Sequence, residues 1–501
     1  MRVRLSQVAI AAGVALNLLL LLLYWRWGAP PPASCRVPRA VPGVTVVLFA
    51  AESSEASDAL GTSRSFAALP VPVLLVAEVA PYPPISLPLG VSLLRLRPAP
   101  EGPPVRPELH VRTRHVAFVP DGARAVPGLL ERMRDVLEDG DGDNGKIRVV
   151  AAPVGPEPPR CREMRVDARG WTVYYGPSVP AVPSGGPGDV CGALDGPSVL
   201  LLRTRDLFSL PFPLAQPAAT ALFVQASLRR WRLRVLPVPF PASLRPPLSP
   251  HERWKTSNLA QNRHRRLMDE LGVKREALAD GADRWYGCTK ATPRCFGTVH
   301  ARTPQYLLSG RWTPPCCLRA LRETARHVVA TLEGSGVRYW LEGGTLLGAV
   351  RLGDIIPWDY DVDLGIYRED VGKCRWLAAA AAGTPVEDDE GFYWEKAPEG
   401  EFYRVHFSRA NRLHVDLWPF YSRGGTMTKE TWLGHPQDVE FPERFLRPRV
   451  PVPFGGFTAM GPNSPREFLE LKFGAGAVEN PEYPNPGVRR LRQDLGGTGR
   501  G

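Results

Sequence analysis

Three aspartates stand at alternate positions, Asp359, Asp361 and Asp363, between a Pro-Trp pair and an apolar run that ends at Ile366. In an extended strand, residues two apart share a face, so the spacing predicts three carboxylates pointing the same way. Like charges that close are costly unless a cation sits among them. A hard, oxygen-ligated divalent ion such as Mg²⁺ or Mn²⁺ meets that need. The plain alternative is an exposed acidic strand with Lys or Arg neighbours. Either way, the fold has to bring positive charge to this segment.

What precedes the aspartates favours the ion. Val337–Leu341 (VRYWL) reads as a strand that runs directly into Glu342-Gly343-Gly344-Thr345 and a helix start. Gly343 and Gly344 let backbone N–H groups approach phosphate oxygens without side-chain interference. Thr345 can add a hydroxyl, and Arg351 a cation one to two turns on. Downstream, His414-Val-Asp416-Leu-Trp-Pro-Phe is a second strand-like run carrying one carboxylate among apolar residues. A buried Asp needs partners, and a metal shared with Asp361 and Asp363 would serve. A glycine turn, paired aspartates and a lone aspartate on a neighbouring strand form the nucleotidyltransferase arrangement. In it a metal bridges phosphate oxygens while an acceptor hydroxyl attacks in line. His406 and His414 are candidate phosphate or base partners, although a lone His is more often structural.

The N-terminus bears on compartment. After MRVRLSQ comes an apolar run from Val8 to Tyr24, broken only by Asn17 and edged by Trp25, Arg26 and Trp27. That length suits a bilayer crossing, and the aromatics suit its interface. A cleaved signal peptide is the competing reading, but bulky residues stand where small ones are needed for cleavage. The expected layout is a cytosolic tail at 1–7, a transmembrane signal-anchor at 8–27 and a short stiff stalk at 28–43, with the remainder lumenal. Of the 8 cysteines, Cys161 and Cys191 flank a Pro/Gly-rich stretch and are expected to pair in an oxidising lumen. No Asn-x-Ser/Thr glycosylation acceptor occurs, because Asn463 is followed by Ser-Pro.

From residue 44 to about 284, short apolar runs alternate with polar turns: Val44–Phe49, Val73–Val79, Val91–Leu96, His115–Val119, Ile147–Ala152 and Val199–Leu202. A helix candidate at Leu129–Leu137 sits among them. Strands with helices between predict an α/β, Rossmann- or glycosyltransferase-like stem domain. The 54 prolines fall heavily here and predict short elements. Asp139 opens a calcium-loop-like run, but Val150 stands where the bidentate Glu belongs. The net charge of +11 is scattered, and without a nucleic-acid module it points to a phosphate-bearing substrate rather than nucleic acid. The alternating arginines at 229–234 form one cationic face, normally a solvated one. A boundary near 284 separates this stem from a domain at 285–501, whose amphipathic helix carries Leu318, Leu321, Ala325, Val328 and Leu332 on one side.

The block GGTLLGAVRLGDIIPWDYDVDLGI resembles the signature of the LicD phosphotransferase family, and HVDLWPF resembles that family's later aspartate motif. The wider layout is similar to its fukutin-related branch. The resemblance implies a nucleotidyltransferase-like catalytic domain that transfers an alditol phosphate from a CDP carrier. In this branch that means ribitol 5-phosphate, moved from CDP-ribitol to the phosphorylated O-mannosyl glycan of α-dystroglycan in the Golgi. It also implies a homo-oligomer working beside related Golgi transferases. Spacing alone reads Cys288, Cys295, Cys316 and Cys317 as two disulfides; the resemblance implies a structural Zn²⁺ on the four, in a loop at 288–317. Asp359, Asp361, Asp363 and Asp416 are the expected catalytic residues, the last three as ligands of Mg²⁺ or Mn²⁺. Gly343, Gly344, Thr345, Arg351, His406 and His414 are expected to hold substrate. Two other readings stay open: an Asp-x-Asp glycosyltransferase using a nucleotide sugar, and a non-catalytic lumenal binding protein.

Overall fold

A computed structural model describes residues 16–19, 41–50, 57–78, 85–97, 105–139, 146–157, 159–181, 190–244, 248–294 and 305–479. Of the expected membrane span only Leu16–Leu19 is described, as helix; the rest of it, residues 28–40 of the expected stalk with Cys35, and Cys295 lie outside the described residues, while 41–43 already belong to strand Val41–Phe49. Among the described residues, no helix is long and apolar enough to cross a membrane.

The alternating runs of the first half form an eight-stranded sheet. Its spatial order is Val91–Arg95, Val73–Ala77, Val41–Phe49, Thr113–Phe118, Ser198–Arg203, Ile147–Pro153, Arg232–Val235 and Val190–Cys191. The first four strands run parallel, and Ser198–Arg203 is antiparallel to both of its neighbours. Side chains alternate between two buried faces, which is why these strands read as near-continuous apolar runs. Val46, Leu75 and Leu201 pack with helices Ala59–Ala67 and Leu129–Asp139 on one side. Val47, Val76 and Leu202 pack with helix Ala218–Leu228 on the other. Helices on both faces of a mostly parallel sheet make the expected α/β layering. Arg232, on the cationic stretch, is spent on Glu163 through bonds of 3.0 and 2.8 Å.

A five-stranded sheet follows, and its edge strand Asp283–Trp285 pairs with Arg275–Ala277. Cys161 and Cys191 are joined by a disulfide with Cα atoms 5.4 Å apart.

The second domain is built on helix Pro315–Gly334, whose five predicted apolar positions are all buried, and on a third sheet. There Val362–Tyr367 lies between Tyr339–Leu341, antiparallel, and His414–Arg423, parallel. Tyr403–His406 and Thr426–Lys429 both pair with His414–Arg423. Gly365 stands opposite Trp340, and a Cβ there would lie 2.2 Å from the indole. This is a close approach that only glycine permits.

Candidate active site

The strand Tyr339–Leu341 passes through Glu342 into helix Gly343–Leu352, so the helix N-terminus opens beside the middle of the sheet. Gly343 has φ +50°, in the left-handed region that glycine enters freely. A Cβ on Gly344 would sit 3.2 Å from Asp359 Oδ2, so the second glycine lets a carboxylate lie against the helix start. Both glycines line a cleft of about 190 Å³ together with Asp359, Asp361, Asp363 and Asp416.

Asp363 and Asp416 face each other in register on adjacent parallel strands. Sheet hydrogen bonds thus fix two carboxylates that are far apart in sequence on one face. The expectation of three aspartates on one strand needs correction. The strand begins at Val362, and the Asp359 N–H donates to the Ile356 carbonyl at 2.9 Å, so the chain is still turning after Pro357. Asp359 and Asp361 reach the cleft from that turn.

The electrostatics are those of a crowded anion site. Burial, reinforced by Asp363, pushes Asp359 up to about 7. Desolvation together with Asp359 and Asp416 holds Asp361 well above the usual carboxylate range, and desolvation with Asp361 and Asp416 does the same for half-buried Asp363. Asp416 is raised to about 6 by burial, although Arg404 Nε, 3.0 Å from its Oδ1, pulls the other way. Trp418 Nε1 donates to Asp363 Oδ1 at 2.9 Å. Four carboxyls that disfavour their own ionisation fit a divalent cation, whose charge would reverse those shifts.

Other expected site residues are placed differently. Thr345 is buried and its hydroxyl accepts the Asp363 N–H at 2.8 Å; it clamps the helix start to the carboxylate strand instead of lining the cleft. Arg351 donates to the carbonyls of Val478, at 3.1 Å, and Ala477, so its guanidinium ties down the C-terminal segment and takes no part in the lining. His406 bonds Glu395 at 2.9 Å, and burial lowers its pKa despite that carboxylate. His414 is fully buried, with Nδ1 on the Arg412 carbonyl and Nε2 3.6 Å from Asp416 Oδ1. Burial, then Arg294, keeps it well below the usual imidazole range. It backs Asp416 from outside the cleft lining.

Sequence reasoning missed Glu342, Trp358, Trp418, Lys429 and Asp438, all of which line the cleft. Trp418 was within reach, two residues after Asp416 and so on the same face. Lys429 carried a weaker signal: Gly424-Gly425 joins two strand-like runs, and a hairpin there sets Lys429 opposite Phe420.

Cys288 and Cys316 are joined as a disulfide. The Cys288 and Cys317 sulfurs are 3.0 Å apart, and the three sulfurs lie within 4.8 Å of one another. Cys374 is buried and free.

Carboxylates that share a cleft with the first turn of a helix fit a nucleotidyltransferase domain, and the second domain is of that class. The model of the LicD/FKTN/FKRP nucleotidyltransferase domain matches residues 336–464, and that of the fukutin-related protein stem domain matches 31–279. Over 98% of its length the chain is 52% identical to "Ribitol 5-phosphate transferase FKRP" of Homo sapiens, covering 99% of that protein, and 51% identical to the Mus musculus protein of that name over the same shares. "Ribitol-5-phosphate transferase FKTN" of Homo sapiens is 29% identical over 30% of the chain and 31% of its own length. The chain belongs to the fukutin-related protein family.

Proposed function

We propose that this chain transfers ribitol 5-phosphate from CDP-ribitol to the phosphorylated O-mannosyl glycan of α-dystroglycan and releases CMP. Its full-length relatives are named as ribitol 5-phosphate transferases. The observation that carries the chemistry is the in-register pair Asp363 and Asp416, joined in one cleft by Asp359, Asp361 and the Gly343-Gly344 turn. Asp361, Asp363 and Asp416 would hold Mg²⁺ or Mn²⁺, which when bound draws charge from the phosphate oxygens. The Gly343–Leu352 helix start offers N–H groups and the positive end of its dipole to the diphosphate. The acceptor hydroxyl oxygen attacks the phosphorus that carries ribitol; the bond from that phosphorus to the bridging oxygen breaks, and CMP leaves with the electron pair. Asp359, beside the helix start in the same cleft, would either complete the coordination or take the hydroxyl proton.

The test is product analysis with CDP-ribitol and a phosphorylated glycopeptide, with and without chelator. CMP release that depends on a divalent ion and falls away in Asp361→Ala supports the reading. Turnover of a nucleotide sugar with release of UDP or GDP would replace it with the glycosyltransferase reading.

A structural Zn²⁺ on Cys288, Cys295, Cys316 and Cys317 belongs to the same proposal. The grouping of three of these sulfurs within 4.8 Å supports it; the ion would need Cys288 and Cys316 as thiolates in place of their disulfide. Metal analysis of purified protein, with and without thiol alkylation, tests it. The apolar run at 8–27 supports a single-pass Golgi anchor with the catalytic domain lumenal. A homo-oligomer, acting with related Golgi transferases, completes the proposal.

A further inference from the structure

The cleft is lined by six carboxyl side chains and, among the described residues, by one lysine and no arginine. That lysine, Lys429, closes the strand Thr426–Lys429 opposite Phe420. Its Nζ lies 2.8 Å from Asp438 Oδ1 and 3.9 Å from the centroid of the Trp418 ring, with Trp432 at 4.9 Å. Trp418 is the residue that donates to Asp363, so one indole separates the ammonium from the carboxylate cluster. The Lys429 side chain is 4% exposed and its partner Asp438 is 16% exposed. Burying an ammonium so deeply is costly, and a single ion pair seldom repays it as stability. An aromatic wall fixes where the ammonium points.

A diphosphate entering this cleft meets six carboxyls. A divalent ion on the aspartates answers part of that repulsion and the helix start another part. A full positive charge from the protein has one source in the lining. We propose that Lys429 is a phosphate ligand in the donor site: it leaves Asp438 and takes a non-bridging oxygen of the donor diphosphate. Asp438 is then the counter-ion that holds the ammonium in place between donors. This inference rests on the nucleotidyltransferase reading given above and names the part of the donor that Lys429 meets.

Four variants test it by steady-state kinetics with CDP-ribitol: Lys429→Met, Lys429→Arg, Asp438→Asn and the Lys429→Met/Asp438→Asn pair. The double variant removes the ion pair without stranding a charge, so it keeps its melting temperature. It should raise the donor KM on the order of 10- to 100-fold, the weight of a charge-assisted hydrogen bond, and weaken CMP inhibition, with the acceptor KM unmoved. Asp438→Asn should lower the donor KM by freeing the ammonium, and Lys429→Arg should recover part of what Lys429→Met loses. A double variant with the wild-type donor KM would show a merely structural pair and overturn the proposal. Wild-type protein that neither binds nor turns over CDP-ribitol with metal would remove the functional reading itself, and this inference with it.

Discussion

The stem and the catalytic cleft both hold carboxylates within the fold, and they treat them in opposite ways. In the stem, Glu276 is 1% exposed and accepts bonds from Tyr175 Oη at 2.6 Å, His264 Nε2 at 3.0 Å and Tyr286 Oη. Burial alone would raise its pKa, but those donors bring it below the ordinary value. Even the largely exposed Glu138, on helix Leu129–Asp139, is held at about 2, chiefly by its hydrogen bond from Arg203. In the cleft the shifts run upward at all four aspartates. A buried anion with enough donors is scaffold. A cluster that resists its own charge marks a candidate functional site, where a fold gives up stability for chemistry.

The largest effect that could break this contrast comes from Asp361→Asn or Asp363→Asn. Each should cut CMP release by on the order of a thousandfold or more, while the metal-free protein melts higher because a repulsion has been removed. A variant that lost activity and melting temperature together would put these aspartates with the scaffold. Next, Mg²⁺ or Mn²⁺ should raise the melting temperature of the wild type, by about 2.7 kcal/mol of stability at a hundred times Kd, and leave the Asp361→Asn/Asp363→Asn double variant unmoved. In the stem, Glu276→Ala strands two hydroxyls and an imidazole; a loss of about 2–3 kcal/mol is expected, with turnover per folded molecule unchanged.

The two regions also differ in the sign of their pH dependence. Asp359 and Asp416 titrate at about 7 and about 6 in the metal-free fold, above the ordinary 3.8. The folded state therefore keeps protons that the unfolded chain has released. Their contribution is full below about pH 3.8 and is lost as pH rises through 6 to 7. For Glu138, at about 2 against an ordinary 4.5, the contribution is present above 4.5 and lost as pH falls toward 2. Melting curves of the metal-free protein across pH should show the first slope reduced in Asp359→Asn/Asp416→Asn, with Asp361 and Asp363 supplying the remainder. The deficit of Glu138→Gln should fade in acid. The smallest effect is expected at His406→Gln, about 1 kcal/mol of stability from a weakened bond to Glu395, with the donor KM unchanged.

Much of the catalytic framework was legible because it is local. A strand entering Gly-Gly and a helix, and an Asp set in a run of apolar residues, are patterns of adjacent residues. The six apolar runs of the stem became strands for the same reason, since residues buried on both faces leave continuous hydrophobic stretches. What failed depended on distant partners. Arg351 looks like a phosphate cation until the carbonyls of Ala477 and Val478 are seen to hold it. His406 looks available until Glu395, on the neighbouring strand, occupies it. Asp359 and Asp361 were assigned to a strand because alternation alone does not show where a turn ends.

One consequence follows from the glycine facing Trp340. The indole that covers Gly365 donates through Nε1 to Glu342 at 2.6 Å, and the other Glu342 oxygen meets buried Lys472. A single methyl group at position 365 would dislodge that ring and, through Glu342, tilt the rim on which the donor must settle. Catalytic accuracy here hangs partly on an atom the protein lacks, and a survey confined to reactive side chains would overlook it.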